Sequence, residues 1–388
     1  MFTVIKNGKV LHNGVIEHHE ILIAGEKILA IQPVINPCEW MSPVAEIDAG
    51  GQFVLPGMID QHVHLIGGGG ESGFSTRTPE VQISKLVQAG ITTVLGLLGT
   101  DSVCRHLESL YAKVKGLEEE GITAYMVTGA YQVPSPTITG SVYQDVVFID
   151  KVLGCKTAIA DHRSSHPTVS ELTRMASEVR VGAMLANKAG LIVVHMGNSS
   201  KALTLIDDVL KQSDIPIKHF LPTHVNRQQH LFHQAIQFAL KGGAIDLTSG
   251  IDPDLGAAGA VKPSLGILQA LDAGVSLNQM TLSSDGNGSI PVFNQAGNMI
   301  GMGVAGFESL LGSIQDLVSA GLALEKAWTL VSSNVATRLH LTETGELKPG
   351  YQADLVFLDD HDLSLTLTMA KGSVMYKRGA YCKQGMFE

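Results

Sequence analysis

Eight short apolar runs recur along this chain, separated by amphipathic stretches. They are VLPGMIDQHVHL, GITTVLGLLG, GITAYMVTGAY, KTAIADHRS, GLIVVHMG, KHFLPTHVN, GGAIDLTSG and QMTLSSDGNG. Runs of this length and apolarity suit strands of a parallel sheet covered on both faces. Between them, PEVQISKLVQAG and QQHLFHQAIQFALKGG repeat apolar residues at helical spacing and stop at Gly. Strand–helix alternation repeated this often predicts an α/β chain with a closed (β/α)8 TIM barrel. An open doubly wound sheet is the competing arrangement, and no GxGxxG follows an early strand to support it.

The two ends have a different texture. FTVIKNGKVL, HEILIAGEKILAIQP and AEIDAGGQFVLPG near the start, and ADLVFLDDHDLSLTLTMAKGSVMYKRGAYC at the end, are rich in β-branched residues and broken by NG and GE turns. They predict a small β-sandwich domain built from both termini, residues 1–54 plus 348–388, around a barrel over residues 55–347. Of the 388 residues 45% are hydrophobic and 16% charged, which permits a large core and excludes wholesale disorder. A net charge of −10 argues against a nucleic-acid partner, whose phosphates favour a basic face. No apolar stretch approaches the ~20 residues of a membrane span, and the start shows no secretory pattern. Cys38, Cys104, Cys155 and Cys382 form no CxxC pair and read as reduced, mostly buried thiols. The expected localisation is cytoplasmic.

Chemistry collects at the carboxyl ends of the strand candidates, where barrels of this type carry their sites. His62 and His64, spaced i and i+2, share one face of a strand. His195 ends LIVVHMG, His224 ends LPTHVN, and Asp285 ends TLSSDGNGS. Each has a plain structural reading as a core histidine or a turn aspartate. Four imidazoles and a carboxylate in matching positions instead compose the donor set of a borderline-soft divalent metal such as zinc. Lys156 is a lone cation inside an apolar strand, where an unpaired ammonium is costly. It either snorkels out, forms a Schiff base, or is carbamylated by carbon dioxide. The last turns the cation into a two-oxygen anion able to bridge two metals, and is the preferred reading.

These residues fall in longer blocks. PGMIDQHVHL and GELKPGYQADLVFLD resemble signatures of the amidohydrolase superfamily. HVHLIGGGGESG, GLLGTDS, TGAYQVPSPTITGSV, DHRSSHP, VVHMGNSSKAL, LPTHVNRQ and SSDGNGS resemble the isoaspartyl dipeptidase (β-aspartyl peptidase) family within it. The resemblance runs over essentially the whole chain and implies a zinc-dependent hydrolase of β-aspartyl dipeptides, a metalloprotease holding two Zn2+ per subunit. It implies His62, His64, His195, His224 and Asp285 as metal ligands, with carbamylated Lys156 bridging. It assigns Asp285 as proton shuttle and Tyr131 as the group assisting carbonyl polarisation. Glu71, Thr100, Tyr131, Arg163, Arg227 and Ser289 match substrate-binding positions, and a homo-oligomer, up to an octamer, is implied.

The implied substrate explains the residue types. A β-aspartyl dipeptide keeps a free α-ammonium and α-carboxylate on its first residue and a carboxylate on its second. Glu71 supplies an anion, and Arg163 and Arg227 supply forked donors that fit carboxylates. Gly67 to Gly70 are expected to let backbone approach the ligand. His162, beside Arg163, is expected as a partner for a metal ligand or as a plain strand-end residue. Two rivals share the fold: a cyclic-amide hydrolase of the dihydroorotase or hydantoinase type, and a non-catalytic scaffold. A nucleic-acid deaminase lacks support, since the Cys ligands and HxE signature are missing.

Overall fold

Alternating apolar runs become a sheet only when each finds a neighbour, and here the neighbour is almost always the next run. In the computed structural model, which describes residues 1–293 and 299–388, eight strands pair in strict chain order. They are β1 (Met58–Val63), β2 (Ile91–Gly96), β3 (Thr123–Gly129), β4 (Val152–Ile159), β5 (Leu191–Met196), β6 (Phe220–Thr223), β7 (Ile245–Thr248) and β8 (Met280–Ser283). Every pairing in the sheet is parallel. Just past the end of β8, Gly286 bridges in parallel to Val63 and accepts the His64 N–H at 3.0 Å, so the last strand closes on the first. The (β/α)8 barrel expected from the alternation is present.

Helices follow the strands and cover the outside. The helix Leu107–Glu120 buries Leu107, Leu110, Val114 and Leu117, the spacing of one helical face, and stops at Gly121 with φ 112°. Each such side chain contributes roughly 1.5–3 kcal/mol on burial. The helix Val169–Ala186 starts in a capping box, Thr168 and Glu171 exchanging hydrogen bonds, and ends at left-handed Asn187. The amphipathic run after His224 forms the helix Gln229–Leu240.

The termini build one nine-stranded sheet. Five strands between Phe2 and Pro56 meet four between Leu355 and Tyr381, the junction being the antiparallel pair Phe53–Pro56 with Leu355–Leu358. Ile5, Ile21, Ile28, Val54, Phe357 and Met369 share a core separate from the barrel's. Strands far apart in the sheet meet in that core, so the sheet wraps over itself as the sandwich fold requires. It is tied to the barrel by polar contacts: the Trp328 indole N–H donates to Pro56 O at 2.9 Å, and the Thr368 hydroxyl donates to Val87 O at 2.7 Å. The cysteines depart from expectation. All four are free, but only Cys155 is buried, while Cys38, Cys104 and Cys382 are exposed. Their surroundings are loops and a chain end, which supply no apolar cover.

Candidate active site

All six residues expected to hold metal gather at the carboxyl mouth of the barrel. His62 lies at a register shift in β1 between Asp60 and Val63. This bulge lets Gln61 and His62 both reach inward, Gln61 to Asp246 and His62 to Lys156. His224 and Asp285 leave their strands in left-handed conformations, φ 61° and 56°. His62, His224 and Asp285 offer ligand atoms that all lie within 4.8 Å of one another. Lys156 Nζ lies 3.0 Å from His62 Nε2, and His64 Nε2 donates to Asp285 Oδ1 at 3.2 Å. The His195 and His224 ring centroids are 4.7 Å apart.

Electrostatics prepares these groups for a cation. Burial pushes His62 and His224 well below the ordinary imidazole range and His195 down to about 3, so each is a neutral ring with a lone pair to offer. Burial works against an ionised Asp285, but its pairing with the cluster of His224, His64 and His62, with the His64 Nε2–H directed at Oδ1, holds its carboxyl below the usual range. Lys156 is fully buried, and burial lowers its amine to about 7 against the pull of Asp285 and Asp246. The donors fit a metal for a second reason. His224 Nε2 is buried with no hydrogen-bond partner among the described residues, a costly state that a coordinated ion relieves.

The residues expected to bind substrate form a second shelf. Glu71 Oε1 accepts from the Thr100 hydroxyl at 3.0 Å and from Arg163 Nη1 at 3.1 Å. The Tyr131 hydroxyl lies 2.7 Å from His195 Nδ1, its ring 5.5 Å from the Arg163 guanidinium, and burial raises its pKa above the ordinary phenol value. Arg227 lies three residues after His224, at the end of the turn Val225–Arg227, is half-buried, and makes no ion pair among the described residues, yet its charge depresses His195, His224 and Lys156. Ser289 packs against the glycine loop: a Cβ on Gly69 would lie 3.2 Å from its own.

One expectation changes in detail, and the glycines also have a reason within the fold. The glycines accommodate the protein's own groups. A Cβ on Gly67 would meet Thr78 O at 2.3 Å, one on Gly69 would meet Thr76 O at 2.5 Å, and one on Gly68 would touch the His64 ring at 3.4 Å. Buried Arg105 fastens this loop, donating to the carbonyls of Gly67, Gly68 and Thr78. His162 is turned out, its side chain 89% exposed, and its neighbour Asp161 takes the inward place instead.

Residues 53–375 match the amidohydrolase family. The chain belongs to that family. A β-aspartyl dipeptidase from the thermophilic, keratin-degrading Fervidobacterium islandicum AW-1, solved in complex with the β-Asp-Leu dipeptide, is 37% identical to this amidohydrolase. It superposes with a TM-score of 0.89 over 98% of each chain. The dihydropyrimidinase of Brevibacillus agri NCHU1002 covers 99% of this chain and 97% of its own at 18% identity and a TM-score of 0.69, a likeness of fold. The dihydroorotase of Staphylococcus aureus strain Mu50 is 43% identical over 111 residues, 28% of this chain. That match spans about a quarter of the length of this curated relative, 24%.

Beneath the amidohydrolase site lie carboxylates that sequence reasoning passed over. Asp246, fully buried, accepts from Gln61 and Thr281 on Oδ1, both at 2.8 Å, and from Thr223 at 2.8 Å and Ser283 at 2.6 Å on Oδ2. The Thr223 hydroxyl, spent on Asp246, can only accept from His62 Nδ1, 3.3 Å away. His62 Nε2 is therefore the bare nitrogen facing Lys156. Asp60 bonds Ser284 and the His62 N–H, and burial lifts it to about 7. A lone acid in an apolar strand, the signal that singled out Lys156, was present in both.

Proposed function

We propose that this chain hydrolyses β-aspartyl (isoaspartyl) dipeptides, with two zinc ions held by His62, His64, His195, His224, Asp285 and a carbamate on Lys156. The observation that carries the reading is the meeting, at one barrel mouth, of the His62–His224–Asp285 cluster with the Glu71–Thr100–Arg163 shelf. A structural neighbour at 37% identity that holds β-Asp-Leu supports the same substrate class.

When bound, such ions supply Lewis acidity and lower the pKa of water from 15.7 towards about 7. The rest is done by the chain. Lys156, with its amine lowered to about 7, is substantially uncharged near neutrality and so is nucleophilic enough to take up carbon dioxide. Asp285, kept ionised, accepts the proton of the attacking water and returns it to the departing amine. Tyr131, retained as a phenol by burial, donates a hydrogen bond to the oxygen that gains charge at the scissile carbonyl. Glu71 pairs with the substrate α-ammonium, Arg163 and Arg227 with its carboxylates, and Thr100 and Ser289 add hydroxyl bonds. Residues 55–347 carry this chemistry, with residues 1–54 and 348–388 as the supporting domain; the working form is a cytoplasmic homo-oligomer.

The test is a paired assay on protein purified with zinc and bicarbonate. β-Asp-Leu is expected to turn over at least ~100-fold faster than α-Asp-Leu, and Glu71→Gln to erase most of that preference, because a buried unpaired ammonium is strongly rejected. Equal rates on the two linkages would refute the pocket. The partial match to a dihydroorotase favours a second reading, cyclic-amide hydrolysis; turnover of dihydroorotate or hydantoin in place of the dipeptide would establish it.

A further inference from the structure

We propose that Asp161 is a positioning residue that serves both halves of the site at once: it fixes which nitrogen of His195 is left for a metal and aims the guanidinium of Arg163 at the substrate. The proposal rests on the dipeptidase reading for its substrate half alone.

Asp161 stands two residues beyond β4, after left-handed Ala160 (φ 53°), and is 5% exposed. Its two oxygens face four donors. Oδ1 accepts from the Arg163 backbone N–H at 2.8 Å and from Arg163 Nε at 3.0 Å; Oδ2 accepts from Arg163 Nη2 at 2.8 Å and from His195 Nε2 at 2.9 Å. The Arg163 side-chain contacts form a two-pronged fork, the geometry that holds a guanidinium in one plane. Of its terminal nitrogens only Nη1 points elsewhere, and it reaches Glu71. The direction of Arg163 towards the Glu71 shelf is thus set from behind by Asp161.

The same carboxylate decides the state of His195. A carboxylate paired with a guanidinium accepts and does not donate, so His195 Nε2 must carry the hydrogen. Arg163 Nη2 lies 3.4 Å from that nitrogen, but both atoms are donors and both are directed at Oδ2. His195 Nδ1 is left bare, and it accepts from the Tyr131 hydroxyl at 2.7 Å. Carboxylate, imidazole N–H and bare second nitrogen are the arrangement by which outer partners orient a metal-binding histidine. A structural salt bridge alone would account for the contact with Arg163 and would leave the one with His195 unexplained.

Asp161→Asn separates these roles. An amide has one acceptor oxygen where the carboxylate has two. Turned one way, its NH2 meets Arg163 Nε and backbone N–H, donor against donor. Turned the other way, it donates to His195 Nε2 and reverses the tautomer. Zinc affinity of metal-free protein, measured by chelator competition, is expected to fall ~10–100-fold. KM for β-Asp-Leu is expected to rise roughly tenfold or more, as for a lost charge-assisted pair. Arg163→Met should raise KM while leaving zinc affinity within about twofold, since His195 is held by Asp161. Assayed with zinc saturating, so that the His195 contact no longer limits metal occupancy, the double variant should show the KM of Arg163→Met alone, because Asp161 then reaches substrate through Arg163.

Parental zinc affinity in Asp161→Asn overturns the His195 half, and multiplying KM effects in the double variant overturn the Arg163 half. Should Asp161→Asn not accumulate as folded protein by circular dichroism, Asp161→Ser is measured in the same way, and unchanged zinc affinity there is equally fatal. A parent protein with no β-aspartyl hydrolysis would sink the functional reading, while the zinc measurement would still decide the His195 half.

Discussion

Of the histidines proposed to hold metal, His64 is the one most tightly enclosed by glycines, and that enclosure can be perturbed one methyl at a time. A Cβ added at Gly99 would sit 2.9 Å from His64 Cε1 and 3.4 Å from Nδ1, about half an ångström inside ordinary contact. The ring has little room to retreat, since Cβ positions at Gly68 and Gly288 lie 3.4 and 3.2 Å from its Cγ and Cδ2. Gly99 is not among the residues at positive φ, so alanine brings no backbone strain. Alanine should even restrict the unfolded chain and add ~0.4–1 kcal/mol. The effect therefore falls on geometry. Catalytic constellations tolerate ~0.5 Å, and a misplacement of ~1 Å costs ~100-fold. Gly99→Ala is expected to lower kcat/KM for β-Asp-Leu about tenfold, ~1.4 kcal/mol of barrier, with weaker zinc binding and an undiminished Tm. Gly116→Ala is the control, because Gly116 lies in the helix Leu107–Glu120 with nothing within 4 Å of the new methyl. It should raise Tm and leave kcat/KM alone. Parental activity and zinc affinity in Gly99→Ala, or a loss of activity that tracks a loss of Tm, would refute the reasoning.

Lys156 gives a pH signature. Its amine titrates near 7 in the fold against an ordinary 10.5, so the unfolded chain binds the extra proton between those values and metal-free stability must rise with pH across that window. Metal-free Lys156→Met should exceed the parent in urea unfolding at pH 7 by on the order of a few kcal/mol, a gap that shrinks towards pH 9.5; a gap independent of pH would contradict the buried-amine assignment. Asp285→Asn keeps the shape of the carboxyl but removes its basicity, so kcat should fall by at least ~100-fold with Tm little changed, as read by steady-state assay and thermal melt. Asp246→Ala abandons the donors of Gln61, Thr223, Thr281 and Ser283 and should cost roughly 3–5 kcal/mol in denaturant unfolding.

What could be read from the sequence was whatever local spacing controls. Each of the eight runs became a strand because an apolar run between an amphipathic stretch and a Gly or polar end can be buried only that way. His195, His224 and Asp285 could be expected to face one another because a barrel turns strand ends into a common rim. A glycine's lack of Cβ is visible in sequence while the groups that crowd it are not: Thr78 O and the His64 ring stand close to where the Cβ atoms of Gly67 and Gly68 would fall. His162 and Asp161 show the same limit at closer range, since left-handed Ala160 decides which of two adjacent polar side chains faces inward, and nothing in ADHR announces that turn. Asp246 shows it across the whole fold. Its partners come from four positions on three other strands, Gln61 on β1, Thr223 on β6, and Thr281 and Ser283 on β8. Gln61 and Thr281, 220 residues apart, meet there only because β8 closes on β1. The candidate ligands can be picked out one strand at a time, whereas the groups that set their tautomers exist as partners only once the barrel is shut.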